Sequence, residues 1–185
     1  VMRACKKTNR ILVIDLYTAV VLEATGNDKI PQSHWDGVAL FIPQSQRVKI
    51  KENGWFDLLK RHSAHRLYHA ALAREPRKYA IIFRPVFQYD LVKARCLDGG
   101  LYVYSSWQGY MAKPEYAKTK EWLARHGLEC QYIHTSGHAT VADLKRLVEI
   151  LSPGQVVPIH TQEPERYREL FPNVHLHAAG EWWKV

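Results

Sequence analysis

Short, almost wholly apolar runs alternate along this chain with stretches of helical period, and that alternation limits the fold more than any other feature. RILVIDL (10–16), VALFI (38–42), YAIIFR (79–84) and LYVYSSW (101–107) are rich in β-branched and aromatic residues. None shows the polar-apolar alternation of a strand with one wet face. Strands of that kind are covered on both sides, as in parallel sheets flanked by helices. Helical segments fill the gaps: YTAVVLEAT (17–25) before Gly26, WFDLLKRHSAHRLYHAALAREP (55–76), YDLVKARC (89–96) and PEYAKTKEWLARHG (114–127), the last opening on Pro114 and stopping at Gly127. LECQYIHT (128–135), the helix ATVADLKRLVEIL (139–151) and QVVPIH (155–160) predict a β-α-β unit. EPERYRELF (163–171) reads as a further helix, and VHLHAAGEWWKV (174–185) as a terminal strand or a hairpin turning at Gly180. The fold class is therefore α/β, a mostly parallel sheet with helices on both faces plus a β-α-β piece at the C-terminal end.

The 185 residues suffice for one full domain, or one and a fraction. No apolar run approaches the ~20 residues of a membrane span. The basic start, VMRACKKTNR, lacks the apolar core of a secretory signal. MRACKK reads as helix with no cap before it, an abrupt beginning. Three cysteines, Cys5, Cys96 and Cys130, show no CxxC spacing and imply a reducing, cytoplasmic setting without a disulfide frame. The net charge of +8 suits a polyanionic partner, although it equally describes a soluble basic protein.

In parallel α/β sheets, ligands gather beyond the carboxyl ends of the strands. Two histidines fall at such ends within YIHTSGHATVADLKRLVEILSPGQVVPIHT (132–161): His138 in a Ser-Gly-His turn, and His160 after Val-Val-Pro-Ile. Neutral imidazole is a zinc ligand, and a strand-end histidine bonded to backbone is the competing account of His160. At the other turn, Thr135 and Ser136 offer hydroxyls, Gly137 permits a sharp bend, and the helix from Ala139 aims its unpaired N–H groups at the loop. Such a turn binds anions. Simple N-capping by Ser136 or Thr140 explains the same residues.

Other polar residues carry less. His62, His65 and His69, at spacings of three and four, predict one helix face beside Arg61 and Arg66. A solvated face is the plain account of them, with a phosphate-tracking stripe or a metal site as the alternatives. Asp15 ends a strand, where it serves either a site or the start of the next helix. His175 and His177 alternate as strand residues and read as structural. There is no GxGxxG, Walker loop or GxSxG elbow.

RILVIDLYTA, YAIIFRP, YSSWQGY, IHTSGHATVADLKRLVEILSP and VVPIHT together resemble the metallo-β-lactamase/β-CASP family of zinc-dependent nucleases, which includes ribonuclease J. The likeness is specific at 134–161 and looser before residue 80. It implies that residues 1–128 are most of a β-CASP-like domain, and that 129–185 are the returning C-terminal part of a metallo-β-lactamase domain. It matches His138 to the family's catalytic SGH histidine, at the scissile phosphate, and His160 to a zinc ligand. It also implies a substrate of nucleic acid, single-stranded RNA above all, held by Thr135, Ser136, Gly137, Arg84 and Trp107. Tyr110 stands beside Trp107, and packing is the alternative for both aromatics.

The family's HxHxDH motif, which supplies most ligands of its two zinc ions, has no counterpart; HLHAAG (175–180) does not fit it. The resemblance therefore implies a fragment, inactive alone, of a nuclease whose metallo-β-lactamase segment lies upstream. A non-catalytic nucleic-acid-binding module and a small-molecule hydrolase of the same superfamily are the other expectations.

Overall fold

A computed structural model describes residues 1–134 and 137–184. The chain divides into two compact units, Val1–His134 and Thr135–Val185.

The first unit is built on four parallel strands: β1 (Ile11–Ile14), β2 (Val38–Phe41), β3 (Arg66–Leu67) and β4 (Tyr79–Ile81), in the order β3-β2-β1-β4. β1 and β2 lie in the middle and are buried along almost their whole length. Their side chains alternate between two cores, as a period of two requires. Leu12, Ile14, Val38 and Leu40 face one cluster; Val13, Ala39 and Phe41 face the other. Both faces are covered, which is why these strands read as unbroken apolar runs.

Helices α1 (Met2–Lys7), α2 (Leu16–Ala24), α3 (Gln44–Glu52) and α4 (Phe56–Arg61) supply Cys5, Leu16, Ala19, Ile50, Leu58 and Leu59 to the first core. Helices α5 (His69–Arg74) and α6 (Gln88–Ala94) supply Leu72, Leu91 and Ala94 to the second. α6 ends on Arg95 in the left-handed region, at φ 52°. Phe87 stacks on Phe41 in that second core, with centroids 5.9 Å apart.

The helical reading of 55–76 needs correction. Only 56–61 and 69–74 are helical, and Arg66–Leu67 between them pairs in parallel with Leu40–Phe41 of β2. A third strand thus replaces the middle of the expected helix. The gain is an extended ladder and a buried Leu67. His62, His65 and His69 consequently do not share a helix face.

β5 (Leu101–Tyr104) and β6 (Glu129–Tyr132) form a second, two-stranded parallel sheet. α7 (Pro114–Arg125) connects them, with Pro114 in its first turn and Gly127 beyond its end at φ 64°. Trp122 of α7 stacks on Phe83 at 5.7 Å and joins the second core of the larger sheet.

The second unit holds α8 (Val141–Leu151) and a short α9 (Tyr167–Leu170). The run 155–160 carries one parallel bridge, Val156 to Val174, in place of the expected strand. Pro158 lacks the N–H a longer ladder would need. The α/β class with a parallel sheet and helices stands. The tail at 174–184 contains that bridge and a turn at Gly180 (φ 85°), so His175 and His177 are not alternating strand residues. No helix among the described residues is long and apolar enough to cross a membrane.

Candidate functional site

His138 and His160 come together. Their rings are 6.4 Å apart between centroids and nearly parallel, at 14°. Both are exposed. His160 takes a backbone φ of 56°, a left-handed conformation uncommon for a residue with a Cβ. That bend ends the apolar run 155–159 abruptly and turns the chain at the histidine.

α8 sets the position of His138. Its N-cap is Thr140, whose hydroxyl oxygen accepts from Asp143 N–H at 3.1 Å, while the Asp143 carboxylate accepts from the Thr140 hydroxyl at 2.7 Å and from its N–H at 3.4 Å. This is a capping box. The capping account of this turn therefore holds for Thr140. Asp143 already places a negative charge in the helix's first turn, where an incoming anion would otherwise meet the full dipole. Gly137 is outside the left-handed region, and a Cβ added there would meet nothing within 4 Å. The chain bends at Gly137, as expected, but its backbone there does not require glycine. Thr135 and Ser136 lie outside the described residues.

The remaining expected site residues, Arg84 and Trp107, belong to the first unit. Trp107 is exposed, meets Tyr110 edge-on at 5.5 Å, and lies against Gly109, where an added Cβ would fall 2.3 Å from its ring. Arg84 follows β4. It pairs with the Asp15 carboxylate and lies under the Tyr17 ring at 4.5 Å. Burial pulls its guanidinium below the usual arginine range, and its Nε has no hydrogen-bond partner. Asp15 is fully buried, caps α2 by accepting from Thr18 N–H at 2.8 Å, and also accepts from the Gln46 amide at 2.8 Å. The helix-start role is real, and it is one of three held by the same carboxylate.

The sequence reading missed Asp90 altogether. It is fully buried on α6 and accepts three bonds: from Gln44 N–H, Arg47 Nη2 and His69 Nε2, each at 2.8 Å. Its partners lie 21 to 46 residues away, so no local spacing announces it. The other two histidines of the KRHSAHRLYH stretch have separate tasks. His62 is buried against Ser33, with Nδ1 2.8 Å from Oγ, and its Nε2 faces Glu23 at 3.6 Å. His65 Nε2 donates to His34 O at 3.2 Å. His177 stacks on Trp183 at 4.4 Å and faces Glu181 at 3.4 Å.

Among the described residues no cluster of three or more His, Cys, Asp or Glu side chains is arranged to hold a metal ion. A zinc centre takes three protein ligands and an open position, or four ligands. The imidazoles at 138 and 160 do not meet that requirement by themselves.

Comparison with known proteins gives one finding. Residues 127–171 match the family model described as a Zn-dependent metallo-hydrolase RNA specificity domain. That stretch contains both histidines and α8, and it supports a relation to the metallo-β-lactamase/β-CASP family. No curated protein and no solved structure matches the chain.

Proposed function

We propose that this chain is part of a metal-dependent phosphodiester hydrolase that acts on RNA, ribonuclease J-like in kind. In this reading residues 1–128 are most of a β-CASP-like domain, and 129–185 are the C-terminal part of the metallo-β-lactamase domain. The observation that carries it is the pair of exposed, near-parallel imidazoles at 138 and 160 inside the matched segment.

His138 acts on the phosphate: its ring N–H donates to a non-bridging or leaving oxygen and can pass a proton to it. Thr135, Ser136 and Gly137, which precede His138 in the sequence, hold the phosphate by hydroxyl and amide donors. With Asp143 compensating the α8 N-terminus, the grip falls more on these donors than on the helix dipole. His160 serves as one ligand of a zinc centre whose remaining ligands come from polypeptide outside these residues. A zinc pair there would supply Lewis acidity and an activated water. Arg84 and Trp107 contribute a cation and a stacking face to the RNA chain. The chain alone is then inactive, and the setting is cytoplasmic.

The test is hydrolysis by the intact parent protein of a 5′-labelled single-stranded RNA and a chromogenic ester, side by side. Loss of a general acid costs roughly 10²- to 10⁴-fold, and His138→Ala should lower RNA cleavage by that much. His160→Ala should remove zinc stoichiometry along with activity. Ester turnover without RNA cleavage would point to a small-molecule hydrolase instead. Unchanged cleavage by both variants would end the reading.

A further inference from the structure

Three tyrosines stand at the carboxyl edge of the four-stranded sheet, each in the stretch of chain that follows one of three strands. Tyr17 follows β1 in the first turn of α2, Tyr68 follows β3 as the N-cap of α5, and Tyr89 follows β4 in the first turn of α6. They are 60%, 62% and 59% exposed. A single exposed tyrosine means nothing. Here each ring also carries a cation: Arg84 over Tyr17 at 4.5 Å, Arg66 over Tyr68 at 5.5 Å and Lys93 over Tyr89 at 6.0 Å. The arrangement repeats across three segments that share no sequence.

The position is also one where such sheets take ligands. β1 leads through α2 on one face of the sheet and β4 through α6 on the other, while the two strands are neighbours. The strand order reverses between them, the point at which open parallel sheets take ligands beyond their carboxyl ends. A cleft of about 550 Å³ lies on this edge, lined by Gln44, Ser45, Pro85, Val86, Gln88, Tyr89 and Asp90. The edge's two carboxylates, Asp15 and Asp90, are fully buried, and each is matched by a guanidinium. Arg84 is itself the partner of Asp15, so of the three cations over the rings Arg66 and Lys93 stand outside those pairs.

From these rings, cations and their shared edge, we infer that the carboxyl rim of the first unit is a stacking platform for single-stranded RNA, with Tyr17, Tyr68 and Tyr89 taking bases, Arg66 and Lys93 facing the backbone, and Arg84, paired to Asp15, holding the Tyr17 ring in place. Exposed rings stack on any base, and cations beside them track phosphate without reading sequence. Strands spaced by about 4.8 Å put the loops of β3 and β4 roughly 14 Å apart, enough for a short run of nucleotides. The inference rests on the RNA reading above and adds these three tyrosines to the residues it assigns on the first unit.

The test is fluorescence anisotropy of a labelled oligo(U) titrated with the full chain, in wild-type form and as Tyr17→Leu, Tyr68→Leu and Tyr89→Leu, each beside its Phe counterpart. Thermal melts verify that each variant is folded. The leucine variants should each weaken binding on the order of tenfold, the phenylalanine variants less than about twofold. The salt dependence should keep its slope, since phosphate contacts are retained. Heparin, an anionic chain without bases, should bind all forms alike. Unchanged oligo(U) affinity in the leucine variants would overturn the platform and leave RNA as the partner. The same result with an altered sedimentation coefficient would assign the rim to protein contact. Equal losses on heparin would overturn it in favour of plain charge. A wild-type chain that binds no oligo(U) would overturn the RNA reading itself.

Discussion

Asp90→Asn is the sharpest probe of how the first unit holds its functional edge. Aspartate at this position accepts from three donors, the Gln44 amide, the Arg47 guanidinium and the His69 imidazole, in a site of zero exposure. Asparagine keeps the shape but offers one acceptor oxygen and an NH₂ group that points at a donor. Two of the three bonds lose their charge assistance, and at least one becomes a clash of donors. Hydrogen bonds to a charged group contribute about 1.5–3 kcal/mol each. Arg47 is 40% exposed at its side chain, so water recovers part of its share. The expected loss is about 3 kcal/mol, within the usual range for breaking a buried charge pair on one side. At roughly 3 °C per kcal/mol for a protein of this size, the melting temperature falls by about 10 °C. Urea denaturation followed by tryptophan fluorescence measures this directly. Asp90→Asn within about 0.5 kcal/mol of wild type would refute the assignment of Asp90 as the organiser of α3, α5 and α6.

His62 links stability to pH. Burial, opposed by Glu23, lowers its pKa in the folded state, so stability is intact above the unperturbed value of 6.5 and drains away as pH falls below it. Thermal melts between pH 7.5 and 5 should show this slope, and His62→Gln should flatten it. Gly100→Ala would place a Cβ 2.7 Å from Leu128 Cδ2 and 2.8 Å from Leu97 O, and should cost about 1–3 kcal/mol by overpacking. Gly137→Ala meets open space, so its melt should match wild type, and any lost RNA cleavage by the parent would be local to the turn. Thr140→Ala removes the cap of α8 and should weaken that helix by about 1 kcal/mol, seen as faster amide exchange at Val141–Leu144.

Much of the fold is legible in the sequence because burial on two faces writes itself as continuous apolar runs. β1, β2 and β4 sit within 10–16, 38–42 and 79–84. β3 was hidden: a two-residue edge strand, Arg66–Leu67, has no run of its own and interrupts a helical period. QVVPIH has the composition of a strand but only one paired residue, since its N–H supply is broken at Pro158 and its partner is Val174. The approach of His138 to His160 could be anticipated, because both close apolar segments joined by one helix. The partners of Asp15 and Asp90 could not, because burial and long-range pairing leave no periodic mark.

α3 touches both of those carboxylates, through the Gln46 side chain to Asp15 and the Gln44 amide to Asp90. A single short rod therefore braces the loops after β1, β2 and β4 like a keystone. One residue inserted between Gln44 and Gln46, inside the helix, would turn the two out of step by about 100°, so that both carboxylates could no longer be met together. The two-residue step from Gln44 to Gln46 is thus what ties the first turns of α2 and α6, where Tyr17 and Tyr89 stand, to one another.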